Sequence, residues 1–395
     1  MEAFFKTHTY LINHTDAPVR RNLMDEIDWT ARMIGIKGTR GVGKTTFLLQ
    51  YAKENFAADD RRCLYVNMNN FYFQGRGIAD FAEDFHKQGG KVLLIDQVFK
   101  QPDWSRELRK CYDRCPDLKI VFTGSSVMRL KEENPELGGI VKSYNLRGFS
   151  FREYMNLQTG TNIPVYTLND IVANHNDIAA DISANVDTTR LFNEYLHHGF
   201  YPFFLEHRNF EENLLKTMNM MTEVDILLIK QIELKYLTKI KKLFYLLALE
   251  GPKAPNISNL AHEIETSRAT VMNYIKYLSE ARLINIIYHV GDEFPKKPSK
   301  VMMHNPNLMY AIYPIVPVEQ DIMETFFVNM LWKDHKVNQG IKDGQYIIDN
   351  KWLFRIADAK KAEKMRNTSN ALMAVYDITK ASTKNIPLWM FGLIY

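Results

Sequence analysis

Gly38-Thr39-Arg40-Gly41-Val42-Gly43-Lys44-Thr45 is the stretch on which the fold turns. It reads G-x-x-x-x-G-K-T, the spacing of a phosphate-binding loop. Glycines let the backbone fold tightly, so that consecutive N–H groups face one anion. Upstream, Met33-Ile34-Gly35-Ile36 is a short apolar run suited to a buried strand. Downstream, 45–56 (TTFLLQYAKENF) reads as a helix with Phe47, Leu48 and Tyr51 on one face. Strand, glycine turn and helix N-terminus together form an anion site. The motif implies a nucleoside triphosphate with Mg²⁺. Lys44 would reach the β- and γ-phosphates and the Thr45 hydroxyl would ligate the metal. The candidate binding set is Gly38, Thr39, Arg40, Gly41, Val42, Gly43, Lys44, Thr45 and Thr46.

The 395 residues imply two or three domains. A content of 46% hydrophobic and 24% charged residues is that of a globular chain and excludes a disordered one. A net charge of +4 excludes a strongly polycationic protein but leaves room for a local basic patch. Cys63, Cys111 and Cys115 form no disulfide framework and no metal spacing, as expected of reduced thiols in a cytoplasm. The opening MEAFFKTHTYLINHTDAPVRR has no apolar signal core, and the longest apolar run, 243–249, is too short to span a bilayer. The expectation is a cytoplasmic protein with no membrane partner.

Three further runs extend the pattern: 63–68 is β-rich, 91–96 is apolar and ends in an acid, and 118–126 ends in small polar residues. Helical segments, including 104–114, lie between them. Alternation of this kind predicts a parallel, doubly wound sheet with its ligand at the C-terminal strand ends. That gathers Lys44, Asp96 and Thr123-Gly124-Ser125 around one crevice. Asp96 is the candidate metal ligand with Thr45. Ser125, with Thr123 or Ser126, is the candidate contact to the γ-phosphate or the attacking water. Gln97 is anomalous: in additional-strand P-loop ATPases the residue after this acid is usually Glu, which orients and deprotonates the water. A glutamine keeps the shape and loses the base, a change that slows chemistry by ~10²–10⁴-fold. Three explanations fit: a substitution that traps ATP, a natural slow switch, or a base supplied elsewhere. Because only the carboxylate is lost, the first is favoured.

GTRGVGKTTFLLQ, LLIDQVFKQPDWSRELRKCYD, DLKIVFTGSS, GFSFREY, EYLHHGFYPFF and HNPNLMYAI occur in this order. As a set they resemble the AAA+-type ATPases of bacteria and archaea that carry a C-terminal domain of unknown function. The resemblance covers nearly the whole chain. It implies ATP as the nucleotide, an additional-strand ATPase core, a winged helix and a divergent tail related to PD-(D/E)XK nucleases. Where that family reads I-D-E-[IV]-H-K, this chain has Ile95-Asp96-Gln97-Val98-Phe99-Lys100. In related ATPases an arginine near this point of the chain reaches the γ-phosphate. Arg147 is the candidate, ahead of Arg129; it precedes a capping box formed by Ser150 and Glu153.

The middle of the chain is helix-rich, broken at Gly199 and Pro202. His197 and His198 are adjacent, so they point apart and suit no shared metal. Segments 258–264 and 267–283 read as two helices, each opened by a serine cap, with a β-rich 284–290 behind them. This is a helix-turn-helix with a wing. Ser267, Arg268, Thr270 and Asn273, with Lys296, Lys297 and Lys300, are compatible with DNA phosphate contacts, although Glu263 and Glu265 sit beside them. The tail offers a helix at 319–334 and strands at 344–349 and 351–356. Glu324, Asp343 or Asp349, Asp358 and Lys360 echo the nuclease pattern. The family's E-V-G-G-K-N-K is here Arg355-Ile356-Ala357-Asp358-Ala359-Lys360-Lys361, which points to a structural remnant.

The expectation is an α/β chain with a P-loop NTPase core (1–150), a helical lid or linker (151–240), a winged helix (241–312) and a small α+β nuclease-like domain (313–395). It would be an ATPase working as a switch or motor. An ATP-gated DNA effector and an ATP-stabilised scaffold are the competitors, and a homo-oligomer is a candidate assembly.

Overall fold

The four expected runs become parallel strands, β1 Met33–Gly38, β2 Cys63–Asn67, β3 Val92–Asp96 and β4 Lys119–Ser125, and a fifth, the mostly polar β5 Val141–Asn145, joins them unannounced by the sequence. Their order is β2-β3-β4-β1-β5. Helices Lys44–Asn55, Ile78–Lys87 and Trp104–Arg114 connect them. All five residues of β3 are buried, which is why its sequence shows no alternation. β4 is inserted between β1 and β3, pairing Gly38 with Ser125, while β2 pairs Asn67 with Asp96. The C-terminal ends of four strands therefore meet at one rim. The outer strand β2 is covered by helix Glu2–His14, where buried His8 accepts the Tyr65 N–H on Nδ1 at 3.1 Å.

The structure is a computed structural model. It describes residues 1–130, 132–206, 209–312, 317–341, 344–365, 370–378, 382 and 384–395. It divides into two units, Met1–Gly148 and Phe149–Tyr395. Among the described residues no helix is long and apolar enough to cross a membrane.

The second unit opens with helix Phe151–Thr159, started by the expected Ser150–Glu153 capping box. Helix Thr188–Glu194 runs on into a wide π-type turn, Tyr195–Gly199. Its loosened carbonyls at Tyr195 and Leu196 accept from Asn307 Nδ2 at 3.0 and 2.8 Å, and Asn307 Oδ1 accepts the Phe200 N–H at 2.9 Å. His197 stacks on Tyr310, whereas His198 faces the Tyr154 hydroxyl, so the two rings turn apart.

Helices Leu237–Glu250, Ile257–Glu263 and Arg268–Glu280 lead to an antiparallel hairpin, β6 Ile284–Ile287 with β7 Lys300–Met303. Ser267 caps the second helix of the pair as expected, accepting the Thr270 N–H at 3.1 Å. The first helix corrects the expectation: Asn256 caps it, accepting from Asn259 N at 3.1 Å, and Ser258 lies inside the first turn. A second sheet follows helix Glu319–Leu331. It runs β12 Asn385–Pro387, β11 Leu372–Tyr376, β10 Trp352–Asp358, β9 Tyr346–Ile348, β8 Val337–Gln339. β8, β9 and β10 pair antiparallel; β10 and β11 pair parallel across helix Ala359–Met365, and β11 and β12 also pair parallel. Phe326 packs on Phe192 and Phe327 on Phe391, which joins the helices and this sheet in one core.

Candidate functional site

β1 ends at Gly38 because nothing larger fits. A Cβ there would lie 2.5 Å from the Leu146 carbonyl oxygen, and the Leu146 N–H bonds the Lys37 carbonyl at 2.7 Å. Gly43 stands at φ 89°, a left-handed turn that glycine makes without strain, and helix Lys44–Asn55 starts immediately after it. The first amides of that helix have no carbonyl partner within it and present a positive end. Lys44 Nζ donates to the Gly38 and Thr39 carbonyls at 2.8 and 2.7 Å, folding the cation back over the loop. Val42 is fully buried and anchors the loop from below.

Buried Arg21 holds the loop from the side. Its guanidinium donates to the carbonyls of Val42 (3.1 Å), Arg147 (2.7 Å) and Gly148 (3.0 Å). Sequence reasoning missed Arg21, since main-chain acceptors carry no signature in side-chain identity. Arg147, the expected finger, joins the loop through its carbonyl.

Asp96 closes β3 with no exposed surface. Three side chains donate to its Oδ2: Thr45 Oγ1 at 2.7 Å, Tyr65 Oη at 2.9 Å and Asn67 Nδ2 at 3.2 Å. Thr123 Oγ1 donates to Oδ1 and in turn accepts the Gln97 N–H at 2.8 Å. Burial, and then the neighbouring Asp96 charge, push the Tyr65 phenol well above its ordinary range, so it stays a donor. Tyr65 and Asn67 were also missed. Their signal was the polar end of the strand that pairs with β3.

Gln97 is half-buried and sits at φ 56°, left-handed for a residue with a Cβ. That conformation costs on the order of 1 kcal/mol and is held by the Thr123 bridge. Ser125, on the same strand as Thr123, is buried beside the loop, and its Oγ accepts the Val127 N–H at 3.4 Å. Thr45 and Asp96 thus bring two hard oxygen donors together next to a glycine-turned loop and a lysine. This donor set fits a phosphate-bound divalent cation such as Mg²⁺.

The tail residues do not converge in this way. Glu324 is buried and accepts from Lys300 Nζ and Tyr346 Oη. Asp349 lies 2.6 Å from His335 Nδ1 and accepts the Lys336 N–H. Asp358 caps helix Ala359–Met365 through the Lys361 N–H at 2.8 Å, which lowers its carboxyl from the ordinary range. Lys360 is exposed, and Asp343 lies outside the described residues. Among the described residues no three His, Cys, Asp or Glu side chains form a metal-holding group. Lys300 corrects a second expectation. It pairs internally with Glu324 and is withdrawn from any outward phosphate contact.

Residues 30–155, which span all five strands of the first sheet, match the family model of the AAA domain, and residues 189–316 match that of a domain of unknown function. A protein of Methanocaldococcus jannaschii, described as uncharacterized, is 28% identical over 286 residues. The match covers 68% of this chain and 60% of that protein, so the chain spans about 60% of this relative's length. A structure of C. elegans PCH-2 aligns at 14% identity over 71% of this chain and 66% of its own, with a TM-score of 0.23. The first unit carries the five-stranded parallel sheet of P-loop NTPases, and its residues 30–155 are similar to the AAA domain.

Proposed function

We propose that this chain binds Mg-ATP on residues 38–46 and works as a nucleotide-dependent switch or motor whose hydrolysis is restrained at Gln97. The observation that carries the reading is the Thr45–Asp96 pair, 2.7 Å apart, at the start of the helix that bears Lys44. On binding, Lys44 would exchange the Gly38 and Thr39 carbonyls for phosphate oxygens, and the backbone amides of 41–45 would receive the rest of the anion. Thr45 and Asp96 would hold the metal, which would supply charge neutralisation on the phosphates. Thr123 keeps Asp96 and the Gln97 backbone in register. The Gln97 amide can orient a water but cannot take its proton, which leaves turnover slower by ~10²–10⁴-fold than with a carboxylate there. Ser125 is a polar partner for the terminal phosphate, and Arg147 is the arginine that adds charge to it.

Within the second unit the reading keeps a helical segment at 151–240, a winged helix at 241–312 and a nuclease-like remnant at 313–395. The strand order around β10 and the crossover helix Ala359–Met365 support the last, and the capped helix pair with its hairpin supports the winged helix. This unit is what the nucleotide would control, in a monomer or a homo-oligomer. Millimolar Mg-ATP should raise the thermal midpoint of the wild-type chain by mass action, and Lys44→Ala should abolish that rise. An unmoved midpoint in the wild type, with no binding by calorimetry, would end this reading.

A further inference from the structure

The net charge of the chain is not spread along it. Residues 237–304 hold ten Lys and Arg against six Asp and Glu, a net +4, within a second unit that is otherwise net −4, with seventeen against twenty-one. This segment comprises the helix pair and the hairpin. The inner face of helix Arg268–Glu280 is apolar, with Val271, Tyr274, Ile275 and Leu278 buried. Its outer face begins with Arg268 and Asn273, both exposed. The hairpin stem is braced by a third short pairing, since the Val301 N–H donates to the Lys253 carbonyl at 2.9 Å. The hairpin loop folds toward the helix, where Lys276 Nζ sits 4.5 Å from the centre of the Phe294 ring. That contact puts exposed Lys296 and Lys297 beside the helix that carries Arg268. Three other lysines serve the scaffold. Lys239 and Lys242 donate to the Glu265 and Glu263 carbonyls, and Lys300 is paired with Glu324.

From this arrangement we propose that the outer face of helix Arg268–Glu280 and the hairpin loop form a binding surface for duplex DNA. An exposed helix with a cation at its first turn, flanked by a basic loop, matches a duplex in shape and in charge. The helix enters a groove of about its own width, and the loop lies along the phosphate backbone. Asn273 has the amide geometry that pairs with adenine edges, and Arg268, Lys296 and Lys297 meet phosphates. Lys296 is also bonded to Asp292, an internal pair that a phosphate would have to displace. The proposal rests on the nucleotide reading only in supposing that ATP controls this unit; the surface itself needs no nucleotide.

The test is a fluorescence-anisotropy titration of a short labelled duplex with the full chain, at low and near-physiological salt, with and without Mg-ATP. Three cations at the surface predict a log–log salt slope of roughly −2 to −3, from about −0.9 per phosphate neutralised. R268E/K297E should bind at least tenfold more weakly, and the exposed Lys364→Glu in the same unit should bind as the wild type does. Circular dichroism establishes that both variants fold. Equal affinity of wild type and R268E/K297E, or no duplex binding at low salt, would overturn the surface and leave protein docking as the use of this face. A wild-type affinity that ignores nucleotide would contradict the switch and leave the surface standing.

Discussion

Asp96 is a fully buried carboxylate fixed from both sides. Four donors fix both oxygens, and three of them reach one oxygen, leaving the charge oriented but dry. Tyr65→Phe removes one donor and should weaken Mg-ATP binding severalfold while changing stability by about 1 kcal/mol, read by calorimetry and denaturant melts. Thr123→Val is expected to cost more, on the order of 1–3 kcal/mol, because it strands Asp96 Oδ1 and the Gln97 N–H together. At this scale the sequence disclosed the residues that belong to a spaced motif. Lys44, Thr45 and Asp96 were legible because phosphate chemistry fixes their spacing. Tyr65, Asn67 and Arg21 were not, because their roles depend on strand register and on main-chain acceptors far away in the chain.

Elements add a second layer of control. β2 is an outer strand, and its Tyr65 amide is satisfied by His8 from a helix rather than by another strand. Burial lowers the His8 ring from 6.5 to about 4, so it is neutral in the folded chain and an acceptor. The folded value lies below the unfolded one, so the unfolded chain binds the extra proton between them. Stability is therefore whole above pH 6.5 and falls as pH drops toward 4, by on the order of 2–3 kcal/mol from this group. His8→Gln keeps an acceptor without titrating, and its melts should lose that part of the acid sensitivity. The wide turn at Tyr195–Gly199 gives a parallel case. Asn307→Ala would leave two carbonyls and one N–H buried without this partner, at a cost of roughly 2–4 kcal/mol in chemical denaturation. Four strands of the first sheet were legible as apolar runs, while β5, Val-Lys-Ser-Tyr-Asn at the sheet edge, carried no such signal. The helix pair was legible to within a turn, although Asn256 and Ser258 were equally good caps by type and only the backbone path chose between them. A break was legible at Gly199 and Pro202, but not the wide turn that precedes it, since Tyr195–His198 read as ordinary helix.

For the molecule as a whole, the P-loop unit could be read from motif and strand alternation. The second unit could be read only in part. Its short strands lie far apart in sequence, and one basic residue of the expected wing, Lys300, is turned inward by Glu324, a carboxylate of another element. The chain joins the candidate phosphate site to a second unit whose positive charge is concentrated at 237–304. The account therefore depends most on whether position 97 restrains an otherwise assembled ATPase. The deciding measurement is single-turnover ATP hydrolysis by the wild-type chain beside Gln97→Glu, with Lys44→Ala as the control that does not bind. The account predicts ATP binding by both of the first two and hydrolysis at least tenfold faster in Gln97→Glu, within the ~10²–10⁴-fold range of a restored base. Equal rates in two chains that both bind ATP would contradict it and move the restraint away from Gln97.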